Sequence, residues 1–329
     1  MGGDMSPLHF AKFAYGQVFG KLPYPATSFA GKTVIVTGSN VGLGFEASRH
    51  IVRLGAAKLI MAVRTVEKGE AAKSDIVKST GCDPKIIEVW KLDLSSYDSI
   101  KAFATRAGDL DRIDILLENA GVATLKWSWT NDGESCVSIN VIATFLLAFL
   151  MLPKLKETAT KYNTRPTLTF VVSETHSYVD FDERNAPEGI LNNMNDKSKA
   201  NVADRYPTSK LMQILLIREM AKRKPVDSYP ITLNMVNPGL CQSELARDGD
   251  LRIKVVKFLL ARSTEVGSRT LVHGAGSGAE THGEYLSACK IAQTGTFVGS
   301  VEGEKAQTRL WNEVMEKLDK IFPGVSANL

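Results

Sequence analysis

The sequence predicts an α/β fold: a doubly wound parallel sheet flanked by helices, in a single extended domain of 329 residues. Three observations predict it. Short apolar, β-branched runs recur along the chain, each followed by a segment with helical spacing. The first of them leads straight into a glycine-rich turn and a helix. This alternation then continues without a linker-like break until the last quarter, so one domain is expected although length suggests about two.

Residues 1–30 read as an N-terminal extension closed by a turn at Pro23 and Pro25. Residues 33–36 are a buried strand, and residues 45–55 have apolar positions at helical spacing with a glycine where the helix would stop. Gly38, Gly42 and Gly44 lie between them, where backbone turns tightly and the new helix presents unpaired N–H groups. That geometry suits a pyrophosphate, which the helix dipole also favours. Further strands are expected at 58–63, ending at Arg64; 86–92, ending at Asp93; and 113–117, stopping at Asn119, Ala120 and Gly121.

A long helix over 133–155 should carry Asn140 just ahead of an apolar run at 141–152. A strand at 168–172 ends at Ser173, and a polar, loop-rich stretch follows from 174 to 205. A helix at 206–222 and a strand at 231–236, stopped by Pro238 and Gly239, complete the pattern, with no repeat at a solenoid period. Ligands bind beyond the carboxyl ends of such strands, so the strand-end residues form the candidate site.

The composition, 44% hydrophobic and 23% charged, is that of a globular protein with a substantial core. A net charge of +4 from scattered basic residues gives no nucleic-acid footprint. Cys82, Cys136, Cys241 and Cys289 lie far apart with no CxxC pair, which argues against a metal site or a disulfide framework and for a reducing, cytoplasmic setting. The N-terminus lacks the apolar core of a signal peptide, and the run at 141–152 is too short to span a bilayer. Leu8, Phe10, Phe13 and Phe19, with lysines nearby, allow an arm with weak peripheral membrane affinity. Packing on the chain's own domain, or a partly disordered lead-in, are the other readings.

Tyr206 and Lys210 are four apart on a helix and so point to one face. Pro207 is acceptable in a first turn. An ammonium beside a phenol should lower the tyrosine pKa toward neutrality, as general acid–base work requires. The spacing carries weight because it follows a strand-terminal serine.

With these motifs in hand, the chain resembles the short-chain dehydrogenase/reductase family. The matching residues are Thr37-Gly-Ser-Asn-Val-Gly-Leu-Gly44, Asn119-Ala-Gly121, Asn140, Ser173, Tyr206-Pro-Thr-Ser-Lys210 and Asn237-Pro-Gly239, in order from about residue 30 to 245. Val63-Arg64, the stretch from Gly283 to Cys289 and a terminal helix with Trp311 resemble its retinol-dehydrogenase-like branch. The resemblance implies a Rossmann-like domain over 31–329, with a substrate-loop region at about 240–300.

It also implies a catalytic tetrad. Tyr206 would exchange a proton with the substrate oxygen, Ser173 would hydrogen-bond that oxygen, Lys210 would hold the nicotinamide ribose, and Asn140 would position a water for a proton relay. The branch pattern V-S-S-x-A-H, matched through His176, selects Ser173, with Ser177 as the fallback. The bland readings are a strand-end cap for Ser173, a local bond for Asn140 and a structural role for His176. The long gap from Ser173 to Tyr206 implies an insertion beside the active-site mouth.

Cofactor contacts are implied for Gly38, Ser39, Asn40, Gly42, Leu43 and Gly44, for Asp93 and Leu94 beside the adenine, for Asn119, Ala120 and Gly121, for Tyr206 and Lys210, and for Pro238, Gly239 and Ser243. Arg64 stands where an NAD enzyme usually carries a carboxylate, so NADP(H) is expected. Glu118 departs from the asparagine frequent in the family. Leu245, Leu251, Val255, Val256, Phe258, Leu259 and Leu260, with Trp127 and Trp129, suggest a bulky apolar carbonyl or alcohol substrate, or else are core. Carbonyl reduction, including that of a secondary metabolite, is the expected direction. A non-redox isomerisation or dehydration, and a nucleotide-binding interaction protein, are the alternatives. The helix at 141–152 is of the type that pairs in family homodimers, unless the extended termini cap it.

Overall fold

The computed structural model describes residues 14–17, 20–242 and 260–329. Its strands are β1 (Thr33–Thr37), β2 (Lys58–Val63), β3 (Ile87–Lys91), β4 (Ile115–Glu118), the small hairpin β5 (Trp129–Thr130) and β6 (Gly133–Glu134), β7 (Thr167–Val171), β8 (Thr232–Asn237), β9 (Tyr285–Ser287) and β10 (Lys290–Ile291). Eight of them form one sheet in the order β10-β9-β8-β7-β4-β1-β2-β3, parallel except for the β9–β10 pair. β1, β4, β7 and β8 are buried along their whole length, which is why they read as apolar runs rather than alternating ones.

The helices are α1 (Gly42–Arg53), α2 (Val66–Thr80), α3 (Tyr97–Gly108), α4 (Ser135–Tyr162), α5 (Ile190–Met194), α6 (Val202–Arg223), α7 (Thr264–Gly276) and α8 (Val301–Ile321). Strand side chains alternate between two cores. Val34 and Val36 pack with Ile51 of α1, Ile76 of α2 and Leu271 of α7. Ile35 and Leu116 face Phe103 of α3, Leu147 of α4, Leu215 of α6 and Leu310 of α8. The sheet is therefore covered on both faces.

Three elements differ from expectation. α4 begins at Ser135 and runs seven residues past 155, because Leu155, Thr158 and Ala159 continue its buried face until Asn163 turns left-handed at φ 47°. The segment 174–205 holds α5 and three short 3₁₀ turns, so it is a packed insertion. α6 starts at Val202, which puts Pro207 inside the helix and leaves the Ala203 carbonyl without its helical donor. The first-turn reading of Pro207 is thereby corrected.

α4 is long and apolar enough to cross a membrane but is buried as a core helix. The face expected to pair in a homodimer is covered by the chain itself. The Phe149 and Trp311 rings lie 6.1 Å apart, and the Phe149 carbonyl, freed by Pro153, accepts from Asn328 Nδ2 at 3.1 Å. Packing on its own domain is likewise what the described part of the N-terminal extension does. Gln17 donates to the Leu240 carbonyl at 2.7 Å, Arg262 donates to the Gly16 carbonyl at 2.6 Å, and Leu22 and Phe29 enter the core. Leu8, Phe10, Phe13 and Phe19 lie outside the described residues, as do Ser243, Leu245, Leu251, Val255, Val256, Phe258 and Leu259.

Candidate active site at the carboxyl edge of the sheet

The glycine loop leaves β1 with Gly38 and Gly42 in left-handed conformations, at φ 65° and 64°. Its shape is set by its sheet neighbour. Asn119 Nδ2 donates to the carbonyls of Thr37 at 2.8 Å and Gly38 at 3.2 Å, while the Thr37 hydroxyl accepts from the amides of Asn119 and Ala120. A Cβ on Gly44 would come within 2.4 Å of Asn119 Nδ2, so the helix start can pack this closely only as glycine. Asn119 and Ala120 thus build the loop, a role the sequence did not suggest.

α1 opens at Val41 with no side-chain cap, and the buried Ser39 hydroxyl finds no hydrogen-bond partner among the described residues. An uncapped helix N-terminus beside an orphaned hydroxyl fits a phosphate group. Asn40 and Leu43 are half-buried in the same loop. Arg64, just past β2, is exposed and free of hydrogen bonds and ion pairs to the described residues. Asp93 accepts from the Ser95 amide at 2.9 Å and hydroxyl at 2.6 Å, next to buried Leu94. Gly239, at φ 76°, donates its amide to Asn237 Oδ1 at 3.0 Å, directly after Pro238.

Ser173, Tyr206, Lys210 and Asn140 come together at the ends of β4 and β7. The Ser173 oxygen accepts from the Thr175 amide at 3.3 Å and hydroxyl at 3.0 Å, which leaves its own proton to donate. Ser177, the fallback, spends its hydroxyl on the Glu174 carbonyl. His176 is structural: its Nδ1 lies 2.7 Å from the Ser173 carbonyl and its Nε2 accepts from the Gly295 amide at 2.8 Å.

Lys210 Nζ sits 5.7 Å from the Tyr206 ring centroid and donates to the Val171 carbonyl at 2.8 Å and to Gln213 Oε1 at 2.9 Å. Burial pushes the Tyr206 phenol up to about 12, with Ser173 acting in the opposite direction, and pushes Lys210 down to about 7. The expected lowering of the tyrosine is therefore corrected. The lysine is buried among neutral acceptors, and burial of the phenol itself is the largest influence on Tyr206.

Asn140 lies in a π-helical stretch of α4, Ser138–Ala143. Its Oδ1 accepts from the Val122 amide at 2.8 Å, its Nδ2 donates to the Val122 carbonyl and to Ser209 Oγ, both at 2.9 Å, and its main-chain oxygen accepts from Gln213 Nε2 at 2.6 Å. All three polar groups bond protein, where the resemblance implied a water. Gln213 escaped the sequence reading, although its place three residues after Lys210 on a buried helix face was available. Cys136, whose thiol burial pushes up to about 12, also borders Tyr206 and Lys210. Among the described residues there is no group of three or more His, Cys, Asp or Glu able to hold a metal.

Residues 32–161 match the short chain dehydrogenase family model. A short chain dehydrogenase/reductase of Cryptosporiopsis, dmxR8, is 50% identical over 321 residues, 96% of this chain and 99% of that one. The short chain dehydrogenase atnD of Emericella nidulans is 43% identical over 280 residues, 83% of this chain and 88% of its own. This chain belongs to the short-chain dehydrogenase/reductase family, an oxidoreductase family that uses a nicotinamide cofactor. Among solved structures, an uncharacterized protein of Mycobacterium paratuberculosis superposes with a TM-score of 0.65 at 25% identity, covering 90% of this chain and 96% of that one. A short chain dehydrogenase of Shigella flexneri, complexed with NADP, shares the fold at a TM-score of 0.56 and 22% identity, covering 81% and 100%.

Proposed function

We propose that this chain is an NADP(H)-dependent reductase of a ketone or aldehyde on a bulky, mostly apolar small molecule, with Asn140, Ser173, Tyr206 and Lys210 at its centre. The observation that carries the reading is the gathering at one sheet edge of Ser173, whose hydroxyl proton is uncommitted, Tyr206, and Lys210 one turn further along α6, beside the uncapped glycine loop. Gly38, Ser39, Gly42 and Gly44 would hold the pyrophosphate, Asp93 and Leu94 the adenine end, and Lys210 the nicotinamide ribose. Arg64, exposed and without a charged partner among the described residues, favours a 2′-phosphate, and the NADP-bound Shigella neighbour agrees with that choice.

The bound nicotinamide would supply the hydride to the carbonyl carbon. Tyr206, neutral at pH 7 with its phenol near 12, donates the proton to the substrate oxygen, which suits reduction. Ser173 donates a hydrogen bond to the same oxygen and stabilises its developing negative charge. The fungal sources of the relatives suit a secondary-metabolite substrate.

Fluorescence titration with NADPH and NADH, followed by NADPH consumption across a panel of apolar ketones, tests the reading. Tight NADPH binding with turnover is the expected result. Binding of neither cofactor sinks it.

A further inference from the structure

We propose that Gln213 is the positioning residue for Lys210, a strut that ties the lysine to the Asn140 carbonyl through a carboxamide. The inference rests on the catalytic role read for Lys210 above. Its geometry admits one orientation: Lys210 Nζ can only donate and the Asn140 carbonyl can only accept, so Gln213 must turn Oε1 to the lysine at 2.9 Å and Nε2 to the carbonyl at 2.6 Å. Asn140, Lys210 and Gln213 are all buried.

The helix carrying Asn140 is shaped for this contact. In a regular α-helix the Thr144 amide would bond the Asn140 carbonyl, but in the π-helical stretch it turns to the carbonyls of Ile139 and Val141. The Asn140 carbonyl is thereby released, and Gln213 reaches it from α6. The side chain then holds Lys210 from one side while the Val171 carbonyl holds it from another. Glutamine neither takes up nor releases a proton near neutral pH, so this link fixes the lysine without relaying protons to Asn140.

Among the described residues, the titratable groups facing Lys210 are Tyr206 from its own helix and Cys136 from α4, and neither is a carboxylate. A charge introduced at Gln213 would therefore dominate the lysine's surroundings. Lysine side-chain NMR of the cofactor-free protein as a function of pH, with Lys210→Arg for assignment, reads the Lys210 ionisation midpoint directly. Gln213→Glu is expected to raise it by about 1–3 pH units and Gln213→Leu to lower it. Should either fail to fold, Gln213→Asn, too short to span both partners, is expected to shift it instead. Folded variants that all keep the wild-type midpoint overturn the proposal. Turnover against pH should move in the same direction, which a merely structural glutamine would not cause. Failure of cofactor binding would refute the reductase reading, whereas the Lys210 titration decides the role of Gln213 regardless.

Discussion

The two sides of the sheet are held by different means. From β1 to β3, each strand is joined to the next by one helix and short turns, and the glycine loop is shaped by Thr37 and Asn119 on adjacent strands. From β7 to β9, long segments intervene, and buried polar ties fasten them. Arg205 Nη1 donates to Glu183 at 2.8 Å, His176 meets the Gly295 amide, and Gln17 spans the carbonyls of Leu240 and Leu260. The first side gains accuracy from backbone geometry, and the second from a few side chains whose partners lie far along the chain. On the proposed reading the first is the cofactor side and the second the substrate side.

The contrast can be broken at several points. Tyr206→Phe should lower turnover by about 10²–10⁴-fold while NADPH affinity is kept, which stopped-flow hydride transfer and fluorescence titration would separate. Equal loss of both would mean that Tyr206 serves the cofactor side. Glu183→Ala strands the buried Arg205 guanidinium and should cost about 3–5 kcal/mol in urea unfolding. A cost under about 1 kcal/mol, the range of an exposed pair, would show that the insertion is not held as described.

Gly44→Ala should cost about 1–3 kcal/mol by overpacking against Asn119, with a matching loss of cofactor affinity in titration. Arg64→Glu should weaken NADPH about tenfold, roughly 1.4 kcal/mol, and leave NADH and the melting temperature near wild type. An equal loss for both cofactors would remove Arg64 from the 2′-phosphate.

The last test is a pH dependence. Burial raises the Glu118 carboxyl from 4.5 to about 8, against one hydrogen bond from Thr37. The folded chain therefore holds this proton more tightly than the unfolded one, and the stability it contributes is full below 4.5 and lost as pH rises to about 8. Glu118→Gln should flatten that part of the denaturation profile. A persistent slope in the variant would assign it to another group.

Much of the cofactor side was legible because its determinants are local. An apolar run, a glycine turn and an amphipathic helix specify one another within a short stretch, and strand ends in a parallel sheet converge on one edge wherever the helices return the chain. Arg64, Asp93 and Ser173 stand out as candidates in this way, whereas Tyr206 stands out by its spacing to Lys210 and by the family resemblance. The start of α6 at Val202 was missed because the polar residues ahead of Tyr206 carry no apolar periodicity, although Arg205 among them is buried against Glu183.

Periodicity and strand-end chemistry were thus enough for the sheet and the glycine loop, while the candidate tetrad came from the family resemblance. They could not supply the state of its members. Whether Lys210 is charged depends on how deeply α6 packs, and where its proton-bearing nitrogen points depends on Val171, 39 residues away, and on Gln213. The contact between Gln213 and Asn140 joins residues 73 apart and exists because a π-helical turn frees one carbonyl at the place where two helices meet. Such contacts are set by packing between elements, and no local pattern records them.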